Sequence, residues 1–438
     1  MIVTTEAFAL SSCYLRSLMK LSLLPLALLA LTLPASAADQ WFKGNTHTHT
    51  LWSDGNDFPE MVTDWYATRG YQFLALTDHN IIHANEVWMS TQAIEKRRKA
   101  LGKTTVEKYT ARFGKDWVQT RELDGNTEVR LRKLEEYRPL FEKPGQFLLI
   151  QAEEISAKFD KAPIHINVLN NQTLLKPATG TSIADTLRAN LLAILAHEKS
   201  SGQPMLAHLN HPNFQWAITP EEIAEVLEDQ FFEIYNGHPM INYEGDEHRA
   251  GNEKIWDIVN TLRTATLKAP PMLAVATDDS HHYHGEESSP GRGWVMVRSP
   301  ALDAASIIKS MRAGDFYASS GVTLDELQVS GKTLRARIHA EPGVTYTTRI
   351  VGTPVGYDAK TATVAVEGDK VHPTRTTYSS DVGKTFATIE GTEVNYTPTE
   401  DVLYLRAVIT SSKPHPNPTY AKQTEMAWIQ PWAFANSR

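Results

Sequence analysis

Short runs of strand formers alternate with helical segments through most of the chain, and the strand runs keep ending on histidine, aspartate or glutamate. The first run leads into Thr46-His47-Thr48-His49-Thr50-Leu51-Trp52-Ser53-Asp54-Gly55. Residues i and i+2 of an extended strand share a face, so His47 and His49 aim two imidazoles into one space, and Asp54 returns to it from the following loop. Residues 71–77 end in Asp78-His79-Asn80, and residues 146–151 lead to Glu153-Glu154-Ile155-Ser156. His165 lies inside the apolar run 162–169, and the run from 204 closes on His211-Pro212. Residues 231–236 form another strand, and 271–277 end in Asp278-Asp279-Ser280-His281. Residues 294–297 add one more. Helical patterns cover 58–69, 181–202, 220–228, 253–267 and 302–313. This alternation predicts an α/β barrel or doubly wound sheet, whose chemistry sits at strand C-terminal ends.

Imidazole and carboxylate ligands suit borderline divalent metals such as Zn, Mn and Fe. Gathering them without a metal is costly, because carboxylates repel one another and buried histidines need partners. One His-x-His is weak evidence. Several strand ends carrying such groups in one domain are much stronger.

Residues 88–145 differ in texture. They are dense in Lys, Arg and Glu with apolar residues at helical spacing, and read as a helical insertion, either a rim of the site or a solvated hairpin. Beyond residue 322 strand formers alternate with Gly, Pro, Asn and Asp turns, which predicts a small all-β accessory domain over 323–438. Its His339, His372 and His415 fall in no cluster.

Residues 1–37 read as a signal peptide: a basic start, an apolar run from Leu21 to Leu33, and Ala35-Ser36-Ala37 as the cleavage site. The expected mature protein is periplasmic or secreted, without a membrane anchor. Cys13 is the only cysteine, so the mature chain has neither disulfides nor a thiol nucleophile. The formal net charge of -8 does not suggest nucleic-acid binding, which normally needs a basic face.

The series His47-x-His49, Ser53-Asp54-Gly55, Thr77-Asp78-His79, Glu154-Ile155-Ser156, His165, His211-Pro212 and Asp279-Ser280-His281 resembles the PHP (polymerase and histidinol phosphatase) superfamily over about residues 41–322. The segment 314–321, Gly-Asp-Phe-Tyr-Ala-Ser-Ser-Gly, is similar to the close of its exported, carbaryl-hydrolase-like branch. The resemblance implies a distorted (β/α)7 TIM-like barrel over 38–322 holding two or three divalent ions. Carried over by position, it puts His47, His49, Glu154 and Asp279 on one metal. Glu154 would bridge to a second held by His165 and His211, and Asp54, His79 and His281 would hold a third. Glu154 is preferred to Glu153 because Ile-Ser follows it, and His211 to His208 because Pro212 follows. Asp279 is preferred to Asp278 because it shares a face with His281.

Asp78 is expected to orient His79 or its neighbours. His282, His284 and Arg292 are candidates for substrate contact, whereas His83, His197, His238 and His248 read as surface or satisfied histidines. The expected chemistry is hydrolysis of a small molecule, with an anion among the candidates. A metal-bound hydroxide would attack, and Asp279 and His281 would handle protons. A phosphoester is the first expectation and a carbamate, ester or amide the second. A non-catalytic binding protein is the third, and the intact ligand series argues against it.

Overall fold

Strand Gln40–Asn45 runs parallel to Phe73–Leu76, which runs parallel to Leu148–Phe159. The computed structural model describes residues 39–98, 103–285 and 287–434; the expected signal peptide lies outside these residues. Leu148–Phe159 turns back on Ala162–Leu169 as an antiparallel hairpin, and that strand pairs antiparallel with Leu206–Leu209. Phe231–Asn236 and Leu273–Thr277 follow, each parallel to its neighbour. The two ends of this seven-strand run meet past the strand C-termini. There the Asp279 N–H donates to the His47 carbonyl at 3.0 Å, and the His49 N–H to the Ser280 carbonyl at 2.9 Å.

The hairpin departs from strict strand–helix alternation. Only Asp160 and Lys161 separate its strands, too few residues for a crossover helix, and Asp160 takes a left-handed φ of 50°. Glu154 therefore lies well inside a twelve-residue strand and faces the His165 region across the turn.

Helices cover the strands as the sequence patterns predict, with ends set by local chemistry. Pro59–Ala67 starts on Pro59, whose missing N–H is no loss in a first turn. Ile183–Ser201 is capped by the Ser182 side chain, which accepts from the Asp185 N–H, and ends at Gly202 with φ of 67°. Pro220–Ala224 is shorter than expected, and Asn252–Thr261 passes into a π-helical turn, Leu262–Leu267.

The insertion is not purely helical. Helices Thr91–Arg97, Thr105–Phe113 and Leu134–Phe141 accompany a three-stranded sheet of Val87–Ser90, Asn126–Leu131 and Thr120–Leu123. Asp124 and Gly125, with φ of 49° and 74°, form the tight turn that makes 120–131 a hairpin. The Asp-Gly pair is a hairpin signal that the surrounding charge density hides.

On its other edge Gln40–Asn45 pairs with Trp294–Ser299, and the same sheet continues through Phe316–Ser319, Thr424–Trp432, Val402–Pro414, Tyr346–Pro354 and Lys384–Glu390. The result is a mixed α/β fold around a 13-stranded sheet, and the described residues make one compact unit. The chain beyond 322 is β-rich, but four of its strands extend the central sheet. Trp428 stacks on Tyr235 with ring centroids 5.7 Å apart, and the Gln430 side chain bonds both the N–H and the carbonyl of Ala274. Among the described residues no helix is long and apolar enough to cross a membrane.

Candidate metal centre

Nine side chains converge where the seven-strand run closes: His47, His49, Asp54, His79, Glu154, His165, His211, Asp279 and His281. They fall into four overlapping groups whose ligand atoms lie within 4.8 Å of one another. His47, His49 and Asp279 make one; His47, Glu154 and His211 a second; His79, Glu154 and His165 a third; and His49, Asp54, His79 and His281 the fourth. Glu154 is central. Its Oε1 lies 3.1 Å from His165 Nδ1 and 3.5 Å from both His47 Nε2 and His211 Nε2, and its Oε2 lies 2.7 Å from His79 Nδ1 and 3.4 Å from His49 Nε2. Asp279 Oδ1 stands 3.2 Å from His47 Nε2 and 3.1 Å from His49 Nε2. Asp54 is the half-exposed outer member, 3.3 Å from His281 Nε2 and 3.5 Å from His79 Nε2.

The imidazoles and carboxylates of the cluster shift one another's protonation. Burial works against ionising Glu154, yet His79, His165 and His47 outweigh it and hold the carboxyl well below its usual range. Asp279 is held down in the same way, by His47 and His49 against its burial. Burial would lower His79, but the Glu154 and Asp54 carboxylates raise it to about 11. His49 is pushed down by burial and by the neighbouring His281 and His79. Glu154 Oε2 and Asp279 Oδ1 are buried without a hydrogen bond, although both face imidazole nitrogens. Six imidazoles and three carboxylates, two of them with a buried, unbonded oxygen, fit divalent cations.

A second layer of side chains fixes the first. Glu233 Oε1 lies 2.6 Å from His47 Nδ1 and accepts from Thr277 Oγ1, while Oε2 accepts from the His211 N–H and Asn236 Nδ2. Asn236 also donates to Asp279 Oδ2, and Asn210 Nδ2 to Glu154 Oε1. His211 and Asp279 have left-handed φ of 24° and 46°, sparsely populated for such residues and held here by these bonds and by the Asp279 N–H bond to His47. The sequence reading missed Glu233. Its signal was a lone acid inside the apolar strand Phe231–Asn236.

Other expectations sort by geometry. Glu153 turns away, to Asn171 and the Leu175 N–H. His208 is buried against the Thr46 carbonyl at 3.4 Å and joins none of the four groups. Asp278 accepts from Tyr66 and from the N–H groups of Gly291, Arg292 and Gly293, a structural role. Asp78 bonds neighbours of His79 rather than His79 itself. It holds the 50–53 loop through Thr50 and Ser53, and binds His83 at 2.7 Å. His83 stacks on Trp52, and His197 and His248 lie outside the centre.

A cavity of about 330 Å³ opens over the centre, lined by seven of the nine residues with Phe214, His238, Met240, Ile241 and His282. His282, a candidate for substrate contact, is one of the residues lining this cavity. His284 is not, since its ring meets Lys108 and the Asn56 carbonyl beneath the insertion. Arg292 is turned away too, with Nη1 on the Gly237 carbonyl and Nη2 on Asn417. Both side chains are held by contacts outside the cavity, His284 with Lys108 of helix Thr105–Phe113 and Arg292 with Gly237 and Asn417. His238, read as a surface histidine, lines the cavity with its ring centroid 5.2 Å from that of His281. A larger cavity of about 810 Å³, lined by Trp41, Leu273 and Trp432 among others, touches none of the nine residues.

No family model matches the chain, and no curated protein matches its sequence. Among solved structures it is similar to a two-domain protein from Bacteroides vulgatus containing a predicted PHP-like metal-dependent phosphoesterase. The identity is 13% and the TM-score 0.38, over 90% of this chain and 95% of that one. It is also similar to a protein from Bifidobacterium adolescentis described as a metal-dependent phosphoesterase, at 12% identity and a TM-score of 0.29, over 62% and 94%. An amidohydrolase from Chromobacterium violaceum gives 13% and 0.27, over 56% and 89%. Likenesses of this extent leave the activity to be argued from the centre itself.

Proposed function

We propose that this chain is an exported metal-dependent hydrolase of the PHP type, acting first on phosphoesters. The observation that carries this reading is the placement of Glu154, one carboxylate within 3.5 Å of five imidazoles from four separate segments of the chain. That is the arrangement a bridging ligand needs. We read the seven-strand run as a distorted barrel closed at the His47–Asp279 contact, and residues 1–37 as a cleaved export signal.

Bound divalent ions supply Lewis acidity and lower the pKa of water. The chain's own groups do the rest. His47 Nδ1 is committed to Glu233, which leaves Nε2 facing the centre. His281 Nδ1 donates to the Asp279 carbonyl at 3.0 Å, so the lone pair of its neutral ring is on Nε2, beside Asp54. In this reading Asp279 and His281 would take and return a proton at the reacting oxygens.

A neutral carbamate or ester is the second reading, favoured by one observation: the cavity lining has no Lys or Arg among the described residues. Assaying aryl phosphates beside aryl carbamates with Mn or Zn separates the two. Turnover of the phosphate supports the first reading, and turnover of the carbamate alone supports the second. Failure of both sinks the hydrolytic reading, as does full activity in His49→Ala. Mass analysis of the exported protein tests cleavage after Ala37.

A further inference from the structure

The wall facing the ligand cluster is built differently from the cluster itself. Phe214, Met240 and Ile241 supply its apolar surface, and His238 and His282 are its polar members. It is a built surface. Phe214 and Ile241 form a backbone bridge between the loops that follow strands Leu206–Leu209 and Phe231–Asn236. The Phe214 ring packs edge-on to His211 at 5.3 Å, and the His238 N–H is held by Asn236 Oδ1 at 2.8 Å. His238 Nδ1 accepts from the Met240 N–H at 3.2 Å, which leaves the proton of the neutral ring on Nε2.

Charge is distributed as unevenly as shape. No Lys or Arg lines this cavity among the described residues. The nearby cations are spent elsewhere, Arg292 on the Gly237 carbonyl behind the His238 loop and Arg97 on the carbonyls of Leu51 and Gly55 behind Asp54. A substrate whose leaving portion carried its own anionic group would place that charge against Phe214 and Ile241 with no Lys or Arg to neutralise it, which is unfavourable. An apolar ring would instead gain from burial against the same side chains.

We infer that the Phe214–Met240–Ile241 wall selects esters whose leaving group is uncharged, apolar and ring-sized, with His238 donating to an oxygen of that group. The inference rests on the hydrolytic reading above and narrows it from an ester in general to one class. Within a cavity of about 330 Å³ the reacting group and the ions occupy the His-rich side, and the leaving group faces the apolar one.

The test uses metal-loaded full-length protein and three non-hydrolysable probes: phenylphosphonate, methylphosphonate and 4-carboxyphenylphosphonate. Binding is read by calorimetry, and hydrolysis of phenyl phosphate is measured in parallel. Phenylphosphonate is expected to bind about tenfold or more tightly than either other probe. Met240 is 61% exposed, so Met240→Lys keeps the fold and the metal content, and it should reverse the preference between phenyl and 4-carboxyphenyl. If phenyl phosphate is hydrolysed but the three probes bind within twofold of one another, this inference is overturned and the hydrolytic reading stands. The same holds if Met240→Lys leaves their order unchanged. If metal-loaded protein binds no phosphonate and hydrolyses no phosphate ester, the phosphoesterase reading falls and takes this one with it.

Discussion

Glu233 Oε1 lies 2.6 Å from His47 Nδ1, and the same carboxylate accepts the His211 N–H through Oε2 at 2.8 Å. One buried acid therefore sets two members of the centre that arrive from different parts of the chain. Through Asn236 it also reaches Asp279.

Glu233→Gln should accordingly weaken metal binding by about ten- to a hundredfold, the usual effect of losing an outer partner of a ligating histidine. Competition against a chelator of known affinity measures it. Unchanged affinity would mean that Glu233 serves the strand and not the centre.

Gly55 sits where a side chain cannot. A Cβ there would stand 2.6 Å from the His49 carbonyl carbon and the Thr50 nitrogen, both backbone atoms that cannot swing aside. Gly55→Ala should displace the loop bearing Asp54, destabilise the protein by about 1–3 kcal/mol, and reduce metal held by the Asp54–His79–His281 group first. Denaturation together with metal stoichiometry reads both effects; a variant with wild-type values for each would place the loop elsewhere.

Burial raises the Glu153 carboxyl to about 7, against the Leu175 and Asn171 hydrogen bonds that favour its charge. Between the ordinary carboxylate range and pH 7 the folded chain keeps a proton that the unfolded chain has released, so this group's contribution to stability falls as pH rises. Relative to Glu153→Gln, the wild type should lose up to about 3 kcal/mol between pH 5 and pH 8. Denaturant midpoints of the two proteins at both pH values check the sign. The variant should retain its full metal content, whereas Glu154→Gln should lose at least one ion.

Part of this centre was legible in local spacing, since His47 and His49 are two residues apart on one segment; the grouping of Asp54, His79, Glu154, His165, His211, Asp279 and His281 with them came from the resemblance to the PHP pattern. The i, i+2 argument for Asp279 and His281 assumed an extended strand, whereas Asp279 takes a left-handed φ of 46°. Glu233 and His238 were not legible in the same way. Glu233 acts through a contact 186 residues away in sequence, and His238 becomes a wall only because the Phe214–Ile241 bridge folds its loop over the centre. The fold shows the same division. Strand and helix order follows from local periodicity, but the joining of Phe316–Ser319 to Thr424–Trp432 is a long-range pairing that no local pattern encodes.

That pairing bears on the C-terminal strands. Arg406 Nε and Nη2 each lie 2.7 Å from Asp257 carboxylate oxygens, both residues are buried, and Tyr404 donates to the same carboxylate. Arg406→Ala leaves Asp257 as an uncompensated buried charge and should destabilise the whole protein by about 3–5 kcal/mol. A single unfolding transition, seen by both Trp fluorescence and circular dichroism, is expected for wild type and variant. Two separated transitions would show that residues 323–438 fold independently.

The central claim is that Glu154 joins adjoining metal positions, and elemental analysis after loading with Mn or Zn and removal of free ion tests it most directly. At least two ions per wild-type chain are expected, with at least one lost in Glu154→Gln at unchanged circular dichroism. A wild-type chain that retains no metal, or a Glu154→Gln chain that retains as much as wild type, would contradict it.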